Sequence, residues 1–139
     1  MADPAAARVS RVAATVDAER LIRKLADDHG ALVFHQSGGC CDGSSPMCYP
    51  RSEFRIGQRD VYLGMIVETP FYIGELQFEY WQHTHLTIDV VPGRGGGFSL
   101  ETPEGMRFLV RSRLFTDDEY TRLAAEGPAP RGVQEPGPE

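Results

Sequence analysis

Apolar residues recur first at helical spacing. Ala18, Leu21, Ile22, Leu25 and Ala26 fall at i, i+3, i+4, i+7 and i+8, which makes one stripe along a helix. Thr15 or Asp17 stands where that helix needs an N-cap, and Gly30 stands where it must end. Ala31 to His35 is then a short apolar strand. After Pro50 the period shortens toward two. Glu53 to Ile56 and Val61 to Val67 flank Gly57-Gln58-Arg59-Asp60, a turn composition, and predict a hairpin. Gly64 inside the second of these strands predicts a bulge or a close backbone approach. Thr69-Pro70 breaks the run and Phe71 to Ile73 resumes it. Gly74 to Gln82 is ambiguous, but its alternation is strand-like and would put Leu76, Phe78 and Tyr80 on one face. His83 to Val91 alternates more cleanly, with Leu86, Ile88 and Val90 on one face and His85, Thr87 and Asp89 on the other. Phe98 to Leu100 and Met106 to Val110 flank Thr102-Pro103-Glu104-Gly105 and predict another hairpin. Thr116-Asp117-Asp118-Glu119 has capping-box spacing and opens a short final helix.

These elements make an α+β domain that is mostly β: an N-terminal helix, short antiparallel strands in a compact sheet or barrel, and a short C-terminal helix. There is no βαβ alternation, which argues against a parallel doubly wound sheet. At 139 residues the chain suits one domain, read here as 15–125. Residues 1–14 are small and polar and read as a disordered arm; residues 126–139 are rich in Pro and Gly and read as a disordered tail.

Charge and composition narrow the function classes. A net charge of −6 with scattered basic residues argues against a nucleic-acid surface, which needs a basic stripe. No apolar run approaches the ~20 residues of a membrane helix, and Met1 to Arg11 lacks the apolar core of a secretory signal. The expectation is a cytoplasmic protein with reduced thiols, and three cysteines is an odd number for a disulfide framework.

The chemistry gathers in one loop. All three cysteines lie in Phe34-His35-Gln36-Ser37-Gly38-Gly39-Cys40-Cys41-Asp42-Gly43-Ser44-Ser45-Pro46-Met47-Cys48-Tyr49-Pro50. Their Cys-Cys-x6-Cys pattern matches neither a zinc ribbon nor a thioredoxin motif. Thiolates suit zinc, iron–sulfur clusters or Cu(I), so Cys40, Cys41 and Cys48 are candidate metal ligands with a histidine as fourth. His35 ends the strand that feeds the loop. His83 and His85 sit at i and i+2, on one face of a strand, and are further candidates. Asp89 would share that face and could orient His85. Glu75 and Glu79 read as solvated. Pro92-Gly93-Arg94-Gly95-Gly96-Gly97 reads as a turn, since it lacks the Lys-Ser/Thr of a phosphate loop.

The cysteine loop, Phe71-Tyr72-Ile73-Gly74, Gln77-Phe78-Glu79-Tyr80-Trp81, His83-Thr84, Asp89-Val90-Val91-Pro92-Gly93-Arg94-Gly95 and Arg111-Ser112-Arg113-Leu114-Phe115 together resemble the bacterial family called domain of unknown function 779. The resemblance runs from about Leu21 to Phe115. Members are often encoded beside aldehyde dehydrogenases, which implies such an enzyme as partner. The order of elements, with Gly38-Gly39-Cys40-x-x-Gly43, is also similar to the HesB-like A-type iron–sulfur carriers, and that likeness implies a HesB-like fold and a homodimer. Those carriers add a C-terminal Cys-x-Cys, and here no Cys follows Cys48. The expectation is a small accessory protein that binds a metal ion (zinc, iron or copper) or an iron–sulfur cluster and works with an aldehyde dehydrogenase. The alternatives are a small metal-dependent or cysteine-nucleophile enzyme acting on aldehyde or thiol adducts, and a metal-free interaction module.

Overall fold

In the computed structural model, which describes residues 9–36, 43–93 and 99–132, the helical stripe becomes one of three α-helices. In chain order the elements are β1 (Val12–Ala14), α1 (Val16–His29), β2 (Leu32–Gln36), β3 (Met47–Pro50), β4 (Asp60–Ile66), β5 (Thr69–Gly74), α2 (Glu75–Trp81), β6 (Thr84–Pro92), β7 (Met106–Leu114) and α3 (Asp117–Glu126). The α1 ends are those the sequence reading expects. Thr15 Oγ1 accepts the Ala18 N–H at 3.2 Å, and the Gly30 N–H donates to Ala26 O at 2.8 Å. Ala18, Ile22 and Leu25 of the stripe are fully buried.

The strands form two sheets. One has the order β1-β6-β7, with β1 parallel to β6 (Val12↔Leu86) and β6 antiparallel to β7 (Ile88↔Val110). The other has the order β3-β2-β5-β4, with β2 antiparallel to β3, parallel to β5, and β5 antiparallel to β4. Among the described residues neither sheet closes into a barrel. Both contribute to a single core with α1. Phe34 of β2 stacks on Phe71 of β5 (centroids 5.8 Å apart) and meets Phe108 of β7 edge-on (5.1 Å, 84°), so one aromatic contact crosses from sheet to sheet.

Several expectations change. Glu53 to Ile56 is not a strand: Arg51–Glu53 is a 3-10 turn, and the hairpin partner of β4 is β5. The connecting residues Val67 and Glu68 have φ of +49° and +58°, the geometry of a two-residue hairpin turn. Such a turn is usually marked by Asn-Gly, and Val-Glu carries no such signal. Thr69 and Pro70 therefore begin β5 rather than break it. Pro70 is tolerated because the pairing with β2 starts only at Phe71, so no donor is missed there. The expected bulge in β4 is present between Tyr62 and Gly64. Gly64 has a φ of +146°, and a Cβ there would lie 3.1 Å from Val12 Cγ2 of the other sheet.

Within Gly74 to Gln82, Glu75–Trp81 is helical, not extended. Phe78 and Trp81, three apart, turn inward, while Leu76 and Tyr80, four apart, are exposed. Over so short a segment an alternating pattern does not exclude a helix. The partner of β7 is β6; of the strand expected at Phe98 to Leu100, Phe98 lies outside the described residues and Ser99 and Leu100 are not in a strand. Thr102–Glu104 is a 3-10 turn, and the Leu100 N–H donates to Cys48 O at 2.9 Å. β1 falls in the segment read as an arm. Part of the segment read as a tail is also held: the Tyr62 N–H donates to Pro130 O at 2.8 Å and the Gly132 N–H to Asp60 O at 3.0 Å.

The capping box at α3 forms as expected. Thr116 Oγ1 accepts the Glu119 N–H (3.1 Å) and Glu119 Oε1 accepts the Thr116 N–H (2.9 Å). Arg113 grips the same carboxylate with two hydrogen bonds of 2.8 and 3.0 Å and pulls its pKa down to about 2. Thr116→Ala removes one cap acceptor, and we expect it to lower stability by about 1 kcal/mol, read as a shifted urea midpoint at unchanged slope. An unshifted midpoint would mean that α3 adds nothing to the cooperative unit. No described helix is long and apolar enough to cross a membrane.

Candidate functional site

β2 delivers the chain into the cysteine loop. Residues 37–42, with Cys40 and Cys41, lie outside the described residues. The chain returns beside β7: the Gly43 N–H donates to Val110 O at 2.7 Å and the Val110 N–H to Ser44 O at 2.8 Å. β3 then pairs with β2, placing Cys48 opposite Phe34 and Met47 opposite His35. Because successive residues of a strand alternate, His35 and Cys48 face opposite sides of this sheet.

On the His35 side, Nε2 meets Asp60 Oδ1 at 2.6 Å, and Asp60 Oδ2 accepts the Gly57 N–H at 2.8 Å. His35 is buried and Asp60 nearly so. Phe54 lies 4.9 Å from the His35 ring and stacks on Tyr49. The Glu53 to Ile56 segment, expected as a strand, thus supplies an aromatic cover through Phe54. Asp60, read only as a turn residue, supplies the carboxylate. No local pattern could have shown this partnership, because the two residues are 25 positions apart in the chain.

On the other side Cys48 is fully buried among apolar side chains and carries a free thiol. Its N–H donates to Ser99 Oγ at 2.8 Å, and the Ser99 hydroxyl donates to Glu101. Glu101 is itself fully buried, and its second oxygen accepts the Phe108 N–H at 3.4 Å. Burial, with Glu101 nearby, pushes the Cys48 thiol far above its ordinary range, and burial likewise raises Glu101. A thiol buried in this way is in the setting of a packed, inert cysteine. Ser99 and Glu101 were missed in the sequence, where nothing distinguishes a buried glutamate from a solvated one.

His83 and His85 lie with the other sheet. His85 stands on β6 opposite Arg113, edge-on to Phe115 at 6.2 Å; burial lowers its pKa, and Arg113 adds to the effect. His83 precedes β6, in a turn, with its ring 5.1 Å from Tyr120 of α3. Asp89 does not orient His85. It accepts from Thr15 Oγ1 at 2.9 Å and from Arg111 Nε at 2.8 Å, tying β6 to the start of α1 and to β7. Glu75 pairs with Arg131 at 2.6 Å and Glu79 is exposed. Among the described residues no three of His, Cys, Asp or Glu come together as a metal-holding group. His35 is brought to the base of the cysteine loop; Cys48, His83 and His85 are each placed elsewhere.

An imidazole held by a carboxylate suits two tasks. Donation of Nε2–H to Asp60 would fix the ring orientation, as in a metal-ligating histidine with a carboxylate behind it. The same pair fits a base that takes a proton from a nearby thiol. Compared with known families, the chain matches over residues 21–114 the model described as domain of unknown function (DUF779), a span from α1 to the end of β7. No curated protein matches it.

Proposed function

The chain belongs to the family described as domain of unknown function (DUF779), and from that premise we propose that it is a small accessory protein that binds a metal ion (zinc, iron or copper) or an iron–sulfur cluster and serves an aldehyde dehydrogenase. The observation that carries the reading is the His35–Asp60 pair at 2.6 Å, set at the end of the strand that leads into Ser37-Gly38-Gly39-Cys40-Cys41. Cys40, Cys41 and His35 would be the ligands, and Asp60 would orient the imidazole. Cys48 is left to packing, because its thiol faces the core, and His83 and His85 are left out because they belong to the other sheet. Two cysteines and one histidine leave a ligand position for a second copy of the chain, which supports a homodimer. An aldehyde dehydrogenase depends on a cysteine thiolate that oxidation and stray metal both inactivate, so a metal- or thiol-handling partner is chemically apt.

The test is elemental analysis with a thiol count on protein purified without oxygen. We expect stoichiometric metal, its loss in Cys40→Ser and Cys41→Ser, and its retention in Cys48→Ser. Asp60→Asn should keep the site but weaken it roughly 10–100-fold in a chelator competition. Wild-type protein without metal, with Cys40 and Cys41 titrating at once, would overturn the metal site.

The same pair favours a second reading, a cysteine-nucleophile enzyme in which His35 takes the thiol proton. That reading predicts fast alkylation near neutral pH in metal-free protein, slowed by His35→Gln.

A further inference from the structure

Arg11 stands just before β1, and its carbonyl oxygen accepts the Leu86 N–H at 2.9 Å, so its backbone is fixed by β6. It lines two cavities. One of about 280 Å³ is walled by Phe78 of α2, Tyr120 and Leu123 of α3, and Pro128, with Gln82 as a further polar group. The second, of about 420 Å³, lies between Tyr62 and Gly64 of β4 and Glu126 at the end of α3. Arg11 and Leu123 line both.

One nitrogen of the guanidinium lacks a partner where it lies. Its Nε is buried and has no hydrogen-bond partner. Glu126 and Tyr120 act on it only through space, and burial holds its pKa below the usual arginine range. A buried donor without an acceptor is costly, and a guanidinium fork matches a carboxylate in shape and charge. The walls of the smaller cavity are mainly apolar, which suits an organic acid better than an inorganic anion. Its volume is that of about nine waters, so it takes an acid of roughly six to ten non-hydrogen atoms.

We propose that the cavity at Arg11 binds a small organic carboxylate, its carboxylate on the Arg11 guanidinium and its apolar part against Phe78, Leu123 and Pro128. The site shares no residue with the His35–Asp60 pair and does not depend on the cysteine loop. Glu126, which lines the second cavity and acts on Arg11 through space, opposes the incoming anion and so limits its affinity.

The probes are benzoate and hexanoate, with benzyl alcohol, 1-hexanol and inorganic phosphate as controls, titrated calorimetrically into the full chain. Both acids should bind, with the alcohols and phosphate at least about tenfold weaker, the difference a charge-assisted hydrogen bond makes. Arg11→Gln should weaken benzoate by about tenfold or more, and Glu126→Gln should tighten it by a few-fold. Ala124, an exposed residue on the cavity wall, allows a second variant that does not touch the guanidinium. Ala124→Phe should block binding while leaving the thermal midpoint near that of the wild type. Two results would overturn the proposal: wild-type protein that binds neither acid at about 10 mM, well inside the range of weak ligands, or a folded Arg11→Gln or Ala124→Phe variant that binds benzoate as the wild type does.

Discussion

Phe34→Ala should remove about 4 kcal/mol of stability, within the 3–5 kcal/mol range for buried phenylalanines. Phe34 is fully buried, stacks on Phe71, meets Phe108 edge-on and lies opposite Cys48 across the β2–β3 pair. The loss has two parts: the transfer energy of the ring, and a cavity that cannot close because strands of both sheets line it. Against a total of roughly 5–15 kcal/mol for a domain, this single truncation should leave the protein marginal. Equilibrium urea unfolding measures it, with the slope unchanged if the native state stays compact. Leu76→Ala is the control. Leu76 is 67% exposed on α2, so its truncation should change stability by no more than about 0.5 kcal/mol. A loss below about 1.5 kcal/mol for Phe34→Ala would mean that the two sheets do not share a tightly packed core at this ring.

The second large effect is expected at Ser99. Its hydroxyl oxygen accepts the Cys48 N–H and its proton goes to Glu101, and both partners are buried. Ser99→Ala leaves two buried polar groups short of a partner, at about 1–3 kcal/mol each, so a total of roughly 2–6 kcal/mol is expected. A pH series identifies the cause. Burial raises the Glu101 pKa in the folded protein above its unfolded value. Its protonated form therefore favours folding: the contribution is full below the unfolded glutamate pKa and is lost as pH rises through the higher folded one. The stability of the wild type minus that of Glu101→Gln should accordingly fall as pH rises above about 4.3 and then level off. The Ser99 hydrogen bond holds the Glu101 pKa down, so in Ser99→Ala the levelling should come at higher pH. A flat difference curve would show that Glu101 has the same pKa folded and unfolded, contrary to its burial.

The elements that could be read from the sequence are those written in a single local code. α1 shows a helical stripe with caps at both ends, β6 alternates within a nine-residue strand, and α3 announces itself with a capping box. What could not be read depends on partners distant in the chain or on turns of unusual composition. The β4–β5 hairpin turns on Val67-Glu68, whose positive φ values no sequence rule assigns to a β-branched residue. α2 hides behind a short alternation. The pairing of β7 with β6 spans the whole of 93–105. At the site, His35 was found because it adjoins the cysteine loop, whereas Asp60 was not, because its role exists only once β4 lies beside β5 and β5 beside β2. Cys48 was grouped with Cys40 and Cys41 by spacing. Strand pairing separates it from His35 by placing them on opposite faces.

The short run through Pro130, Arg131 and Gly132 has a bearing on how the molecule behaves in a crowded solution. β4 is the last strand of its sheet, and its outward amides and carbonyls would otherwise form an open template for another chain. Pro130 accepts from Tyr62, Gly132 donates to Asp60, and the Gly132 carbonyl takes the Tyr72 hydroxyl at 3.2 Å. A proline and a glycine are poor continuers of a ladder, so the run covers the Asp60–Tyr62 end of the strand without extending the ladder there. The few residues after α3 thus blunt one end of an open sheet edge, a role that their composition alone does not advertise.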